Sequence, residues 1–215
     1  MTIGILALQG AVQDHEKVFR RLGVETRQIR LPADLEGLSG IVLPGGESTV
    51  MRMYLREYGL DSAIRERVAA GTPIFGFCAG AILLCTEVEG GDGRAPGALG
   101  LMEARAVRNA YGRQLASFEE EIETDLGPFP GVFIRAPRLE ALGATKIVGR
   151  RRTEMGGEAV FLRRGGVLAA SFHPELSGDD RIHEYFLGIA DGRDRAGAPV
   201  NDRNVAAVPT GPASP

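Results

Sequence analysis

The chain has 215 residues, a length that favours one compact domain. Its 25 Lys and Arg against 28 Asp and Glu leave a formal charge of −3, so no strongly basic surface is available, and nucleic acid or an anionic membrane is excluded as a main partner. With 44% hydrophobic and 25% charged residues the composition is that of an ordinary soluble globular protein, and the outlier is glycine, whose 30 residues are roughly twice average usage and imply many turns or close backbone approaches.

Thr2 to Leu8 reads as a buried strand. It lacks a basic leader and ends in polar Gln9, so it is not expected to be a signal peptide, and no run approaches the roughly 18 apolar residues of a membrane span. Gly10 then opens a helical stretch with Val12, Phe19 and Leu22 on one face and His15 assigned to its polar side, and Gly23 stops it. Val24 to Ile29 is a second strand, and Gly40 to Leu43 a third that ends abruptly at Pro44-Gly45-Gly46. Ser48 is the expected N-cap of a helix carrying Val50, Met51, Met53, Tyr54 and Leu55. A helix from Asp61 to Ala70 follows, and Gly71-Thr72-Pro73 leads into the strand Ile74 to Phe77. This alternation predicts an α/β fold around a mainly parallel sheet.

Beyond Leu84 the texture changes. Glu89 to Arg94 reads as a loop, and the segments after it are short and strand-like: Ala104 to Arg108, Phe118 to Ile122, Val132 to Arg135, Ala159 to Leu162 and Val167 to Ser171, the last two joined by a Gly165-Gly166 hairpin turn. A final helix, Asp180 to Ala190, carries Ile182, Tyr185, Phe186 and Ile189 on one side, with His183 also on it. Residues 191–215 contain no aromatic side chain and four of the 12 prolines. Such a segment cannot offset its ordering entropy by burial, so the expected organisation is a domain over 1–190 and a flexible tail over 191–215.

Two cysteines, Cys78 and Cys85, are too few for a disulfide scaffold. If both lie on one helix, seven residues separate them by about 10 Å, beyond the roughly 7 Å that a bridge spans. A reducing cytoplasm is the expected compartment. The cysteine and histidine spacings do not match a zinc site, and no structural metal is expected.

The chemistry concentrates at Ile74-Phe75-Gly76-Phe77-Cys78-Ala79-Gly80-Ala81-Ile82. A buried strand runs into a Gly-x-Cys-x-Gly turn and then an apolar helix, the cysteine form of a nucleophile elbow, in which the glycines let strand and helix backbones approach while the nucleophile projects from a strained turn. The helix N-terminus favours the thiolate of Cys78, and the N–H of Ala79 points toward a developing oxyanion. At the other end, the strand Val167 to Ser171 runs into Phe172-His173-Pro174-Glu175. If the period of two persists, His173 and Glu175 share a face, so that a carboxylate orients an imidazole serving as base to a thiol and acid to a leaving amine. The third turn, Pro44-Gly45-Gly46-Glu47-Ser48-Thr49, can expose backbone N–H groups to a substrate oxygen, and it is not a Walker loop.

Six segments carry a closer likeness: Ala7-Leu8-Gln9-Gly10-Ala11, Pro44 to Thr49, Phe75 to Gly80, Arg108-Asn109-Ala110-Tyr111-Gly112-Arg113-Gln114, Phe133-Ile134-Arg135-Ala136-Pro137 and Ser171 to Glu175. With them the chain resembles the class I glutamine amidotransferases, and more closely the glutaminase subunits of the two-component pyridoxal 5′-phosphate synthases. The resemblance implies a three-layer, flavodoxin-like fold with added antiparallel strands. It implies Cys78 as nucleophile, His173 as acid and base, Glu175 as its orienting partner, and an oxyanion hole from Gly46 and Ala79. Glutamine would be held by Gly46, Glu47, Ser48, Arg108, Ile134 and Arg135. It further implies hydrolysis of L-glutamine to glutamate and ammonia, no cofactor on this chain, and ammonia passed to a (β/α)₈ synthase subunit in a ring of twelve of each. Phe77 departs from the family, which usually places a small polar residue before the nucleophile. Arg150 to Arg152 and Arg163-Arg164 read as solvated surface charges.

Overall fold

A computed structural model describes residues 1–90, 93–110, 117–154 and 156–193; the expected tail beyond Arg193 and the Tyr111 to Gln114 part of the arginine motif lie outside the described residues. In chain order the elements are β1 (Thr2–Leu6), α1 (Val12–Arg21), β2 (Glu25–Ile29), β3 (Gly40–Leu43), α2 (Ser48–Glu57), α3 (Leu60–Ala69), β4 (Ile74–Phe77), α4 (Ala79–Leu84), β5 (Cys85–Gly90), β6 (Gly93–Pro96), β7 (Met102–Val107), β8 (Ser117–Thr124), β9 (Gly127–Ile134), β10 (Arg138–Ala141), β11 (Lys146–Thr153), β12 (Gly156–Arg164), β13 (Val167–Ala170) and α5 (Arg181–Ala190), with 3₁₀ turns at Pro32–Leu35 and Pro174–Leu176.

The large sheet has nine strands in the order β2-β1-β3-β4-β13-β12-β11-β8-β9, and its first half is parallel from β2 through β13. That half has the doubly wound order of a flavodoxin-like sheet, with β13 as the fifth strand. The antiparallel extension β12-β11-β8-β9 follows, and a second sheet, β10-β7-β5-β6, has four strands.

Strand alternation divides the core. Ile3, Ile5, Val42, Phe75 and Phe77 face α1 and α5, where Phe19, Ile182 and Phe186 complete an aromatic-rich cluster. Leu6, Leu43 and Ile74 face the opposite side, packing with Met51 and Leu55 of α2, Ile64 of α3, α4 and the inner face of the small sheet. Both faces of the central strands are therefore covered, and full burial of each such Phe or Leu side chain contributes about 2–3 kcal/mol. Phe77 is fully buried in this packing and lies 4.0 Å, ring centre to ring centre, from Phe75.

Several expectations need correction. The first strand stops at Leu6, although Ala7 still donates to Ile29 O at 2.8 Å. The second begins at Glu25, not Val24. Glu89 to Arg94 is not a loop throughout, because β5 runs to Gly90 and β6 starts at Gly93. Cys85 opens β5 instead of sharing a helix with Cys78, and both thiols are free. The strand β11 has no counterpart among the expected elements, since Arg150-Arg151-Arg152 lacks apolar alternation. Those arginines are instead partly held across strands: Arg151 Nε donates to Glu120 Oε1 at 2.6 Å and stacks its guanidinium 4.8 Å from the Phe118 ring, and Arg152 pairs with Glu123. Arg163 is also buried, donating to Gly165 O at 3.0 Å and to the Tyr185 hydroxyl.

Register sets where the chemistry must lie. Leu43 pairs with Gly76, and Phe77 pairs with Ala170, so β3, β4 and β13 end along one rim of the sheet. The turn after β3, the elbow after β4 and the segment after β13 all emerge there. In open α/β sheets this carboxyl rim is the usual ligand-binding edge.

Candidate active site

Cys78 sits one residue past β4 with φ 49° and ψ −103°, a positive-φ conformation that is strained for a side chain with a Cβ. Its N–H donates to Ala170 O at 2.8 Å, which holds the turn against β13. The following helix can lie this close only because two side chains are missing. A Cβ on Gly80 would strike the carbonyl of Leu43, and one on Gly76 would come to 2.5 Å from the Gly80 backbone. The expected elbow is thus present, with Ala79 as the first residue of α4.

The Gly45-Gly46 turn is tied to the end of β1. Gly45 O accepts from Ala11 N at 3.1 Å, and Gln9 Oε1 accepts from Glu47 N at 2.6 Å. Gly10, at φ +106°, permits this approach, because a Cβ there would run into Gly45 O. A Cβ on Gly45 would likewise run into the imidazole of His173, so the turn lies directly against the candidate base. The N-cap of α2 is Glu47, not Ser48: the Glu47 carboxylate accepts from Thr49 N at 3.5 Å, while Ser48 is buried as the first helical residue.

His173 and Glu175 meet by a route other than strand alternation. β13 ends at Ala170, and Pro174 then starts a 3₁₀ turn containing Glu175. The turn brings Nδ1 of His173 to 2.7 Å from Oε1 of Glu175, and His173 N donates to Val132 O at 2.8 Å, anchoring the residue to β9. Burial disfavours the imidazolium, but the Cys78 sulfur and the Glu175 carboxylate outweigh it and raise the His173 pKa to about 10. Burial also opposes ionisation of Glu175, and here the surrounding imidazoles of His15 and His173 win, holding its carboxyl below the usual range. An imidazolium beside a cysteine is the charge state that favours a thiolate nucleophile. The Cys78 Sγ lies 3.8 Å from Ile134 O, and Nε2 of His173 has no hydrogen bond of good geometry among the described residues.

Gly46, Glu47, Ser48, Cys78, Ala79, Arg108, Ile134 and Arg135 line a single open cleft. His173 and Glu175 stand behind it, almost wholly buried. Arg108 reaches Glu47, Nη2 to Oε1, at 3.5 Å, so a cation and an anion sit together in the cleft. Ile82, Asn109 and Pro137 also line it, beyond the site residues expected from the sequence. Asn109 and Arg135 both adopt positive φ, 56° and 45°, backbone signals invisible in a sequence. His15 is the larger miss. It is fully buried, with Nε2 3.8 Å from Glu175 Oε2, and not on a polar helix side. Its spacing is the available signal, because 15 is three residues after Val12 and four before Phe19 on the same helical face.

The family model of the SNO glutamine amidotransferase family matches residues 5–190. A pyridoxal 5′-phosphate synthase subunit PdxT of Thermus thermophilus is 48% identical over 191 residues, covering 87% of this chain and 97% of that protein. The subunit of the same name from Deinococcus radiodurans is 46% identical over 194 residues, covering 88% and 97%. A crystal structure described as a glutamine amidotransferase superposes with a TM-score of 0.81 at 46% identity, covering 88% of this chain and 98% of that one. PurLQS from Thermotoga maritima shares the fold, with a TM-score of 0.67 at 16% identity over 87% of this chain and 97% of that one.

Proposed function

The chain belongs to the SNO glutamine amidotransferase family and is a glutaminase subunit that supplies ammonia to a pyridoxal 5′-phosphate synthase partner; from that premise we propose that Cys78, His173 and Glu175 are its catalytic triad. The observation that carries the assignment is the convergence of three separate chain segments on one rim. The strained Cys78 turn, the Gly45-Gly46 turn and the His173–Glu175 pair at 2.7 Å all meet at the cleft.

The chemistry follows from those positions. Glu47 and Arg108 offer opposite charges to the ammonium and carboxylate of L-glutamine, with Ser48, Ile134 and Arg135 completing the pocket. The Cys78 thiolate adds to the side-chain amide carbon, and the N–H groups of Gly46 and Ala79 receive the oxyanion. His173, held as imidazolium by Glu175, gives its proton to the departing ammonia and leaves a glutamyl thioester. Neutral His173 then takes a proton from water, whose oxygen attacks the thioester carbon, releasing glutamate and restoring the thiolate–imidazolium pair. Glu175 stays ionised throughout. No step calls for a cofactor, and pyridoxal 5′-phosphate is the product of the assembled synthase. The partner is a (β/α)₈ subunit, in an assembly of twelve copies of each chain, and a reducing cytoplasm suits a chain whose two thiols are both free.

Glutamate release from L-glutamine by the purified chain, with and without the synthase subunit, tests this reading, with Cys78→Ala as control. Activity that rises strongly with the partner and vanishes in the variant is the expected result. Activity that persists in Cys78→Ala overturns the triad, and activity indifferent to the partner overturns the tie to that synthase.

A further inference from the structure

Behind the triad, away from the cleft, two histidines remain that the reaction above does not use. His15 of α1 and His183 of α5 are both fully buried, and Nδ1 of His15 lies 3.1 Å from Nε2 of His183. The other nitrogen of His15, Nε2, lies 3.8 Å from Oε2 of Glu175, the carboxylate oxygen that His173 does not occupy. Neither of those two atoms has a hydrogen-bond partner among the described residues, and neither has His183 Nδ1. Phe77 covers both rings, its centroid 4.6 Å from that of His15 and 5.5 Å from that of His183. No group of three or more His, Cys, Asp or Glu among the described residues is placed to hold a metal ion.

Hydrogen-bond logic selects one arrangement of protons. If His15 donated from Nδ1 to His183, its Nε2 lone pair would face the Glu175 carboxylate, setting two acceptors against each other in a buried space. With the proton on Nε2 of His15, that N–H faces Glu175 Oε2, and Nδ1 accepts from the Nε2–H of His183. The acceptor Nδ1 of His183 then has no hydrogen-bond partner among the described residues, and the Nε2–H of His15 faces only the Glu175 carboxylate. At 3.8 Å the His15 contact is an electrostatic one, longer than a hydrogen bond, but it points a positive dipole at a buried anion. Burial keeps both rings neutral: the His15 pKa is lowered, and that of His183 falls to about 3. The titratable and charged groups facing His15 are Glu175, His173 and Asp14, and those facing His183 are Glu175, His15 and Arg21.

We propose that His15 is a positioning residue for the glutaminase reaction: its Nε2–H holds the free oxygen of Glu175, keeping the carboxylate ionised and turned toward His173, while His183 fixes the tautomer of His15. The proposal rests on Glu175 being the orienting member of the triad. Through His15 the carboxylate is shared between the 3₁₀ turn and α1, the helix whose preceding residues also grip the Gly45-Gly46 turn.

The test is glutamine hydrolysis by the complex with the synthase subunit, comparing wild type, His15→Leu, His15→Gln, Glu175→Gln and the double variant His15→Leu/Glu175→Gln. His15→Leu should lower kcat about tenfold with KM nearly unchanged, and should move the acid limb of the kcat profile to higher pH as Glu175 becomes easier to protonate. His15→Gln, whose amide nitrogen can take the place of Nε2, should recover most of kcat. In the Glu175→Gln background, His15→Leu should have little further effect. Should His15→Leu fail to fold, His15→Asn, which can meet His183 but not Glu175, should reproduce its kinetic defect. Wild-type kcat and pH profile in folded His15→Leu or His15→Asn overturns the proposal, as does a defect that His15→Gln fails to relieve or that adds in full to Glu175→Gln. Full activity in Glu175→Gln alone overturns the triad reading itself, an outcome distinct from the others.

Discussion

His183 should make the fold sensitive to mild acid. Its ring is fully buried and its pKa lies near 3, against 6.5 for an exposed histidine, because desolvation disfavours the charged form and His15 adds to the effect. A depressed pKa means that the folded chain binds no proton here while the unfolded chain does, so the contribution of this group is fully present above pH 6.5 and is lost progressively toward pH 3. Between neutrality and pH 5 the unfolded state is favoured by about 1.5 units of protonation, or about 2 kcal/mol at 1.36 kcal/mol per unit. His173 acts in the opposite sense. With its pKa raised to about 10, it stabilises the fold below pH 6.5 and loses that effect as pH climbs through 10, and this contribution cancels when two proteins differing only at position 183 are compared. The assay is urea unfolding at pH 7 and pH 5 for wild type and His183→Leu, followed by far-UV circular dichroism because the chain contains no tryptophan. The wild-type midpoint should drop between the two pH values by about 1 M more than that of the variant, taking a slope of about 2 kcal/mol per molar urea. Parallel pH dependence in the two proteins would falsify the reasoning, since it would mean that His183 takes up its proton without unfolding.

Three further outcomes are expected. An electrophilic glutamine analogue should label Cys78 and spare Cys85, whose thiol is pushed up to about 12 by burial; peptide mapping of the labelled protein checks this, and equal labelling of the two cysteines counts against it. Arg108→Ala should raise KM for glutamine about tenfold or more with a smaller change in kcat, because the guanidinium beside Glu47 offers binding charge and lies outside the nucleophile–base pair; steady-state kinetics in which kcat collapses at constant KM would contradict that role. Phe77→Thr should cost about 3 kcal/mol in urea unfolding, as it removes a fully buried ring packed on Phe75, His15 and His183, and a cost below about 1 kcal/mol would mean that the threonine hydroxyl finds a partner among those imidazoles.

The parts of the fold most legible in the sequence are the parallel strands β1, β3, β4 and β13, since strands buried on both faces read as short apolar runs closed by glycine or a polar residue. The strands that escape such a reading include β5, β10 and β11, which have open faces and draw on pairing with β7 and β8 that is not local. In β11 the partners of Arg151 and Arg152, Glu120 and Glu123, lie more than twenty-five residues away on β8, so no window along the chain contains both halves of the interaction.

The site is legible for a different reason. Its positions depend on backbone approaches that only glycine allows, and glycine is conspicuous in a sequence. Gly80 against Leu43, Gly10 against Gly45 and Gly45 against His173 join the ends of β1, β3, β4 and β13 into one rim. What stays hidden is the support behind the rim, because His15 and His183 are polar by type and buried by position. Counting His15 with the polar residues of α1 puts it in solvent, although its spacing from Val12 and Phe19 places it in the core. A histidine on an apolar helical stripe is costly to bury unless another polar group meets it. In this chain that group is Glu175, the carboxylate proposed to orient His173, so the misplaced residue and the residue that the proposed triad alone does not account for are the same one.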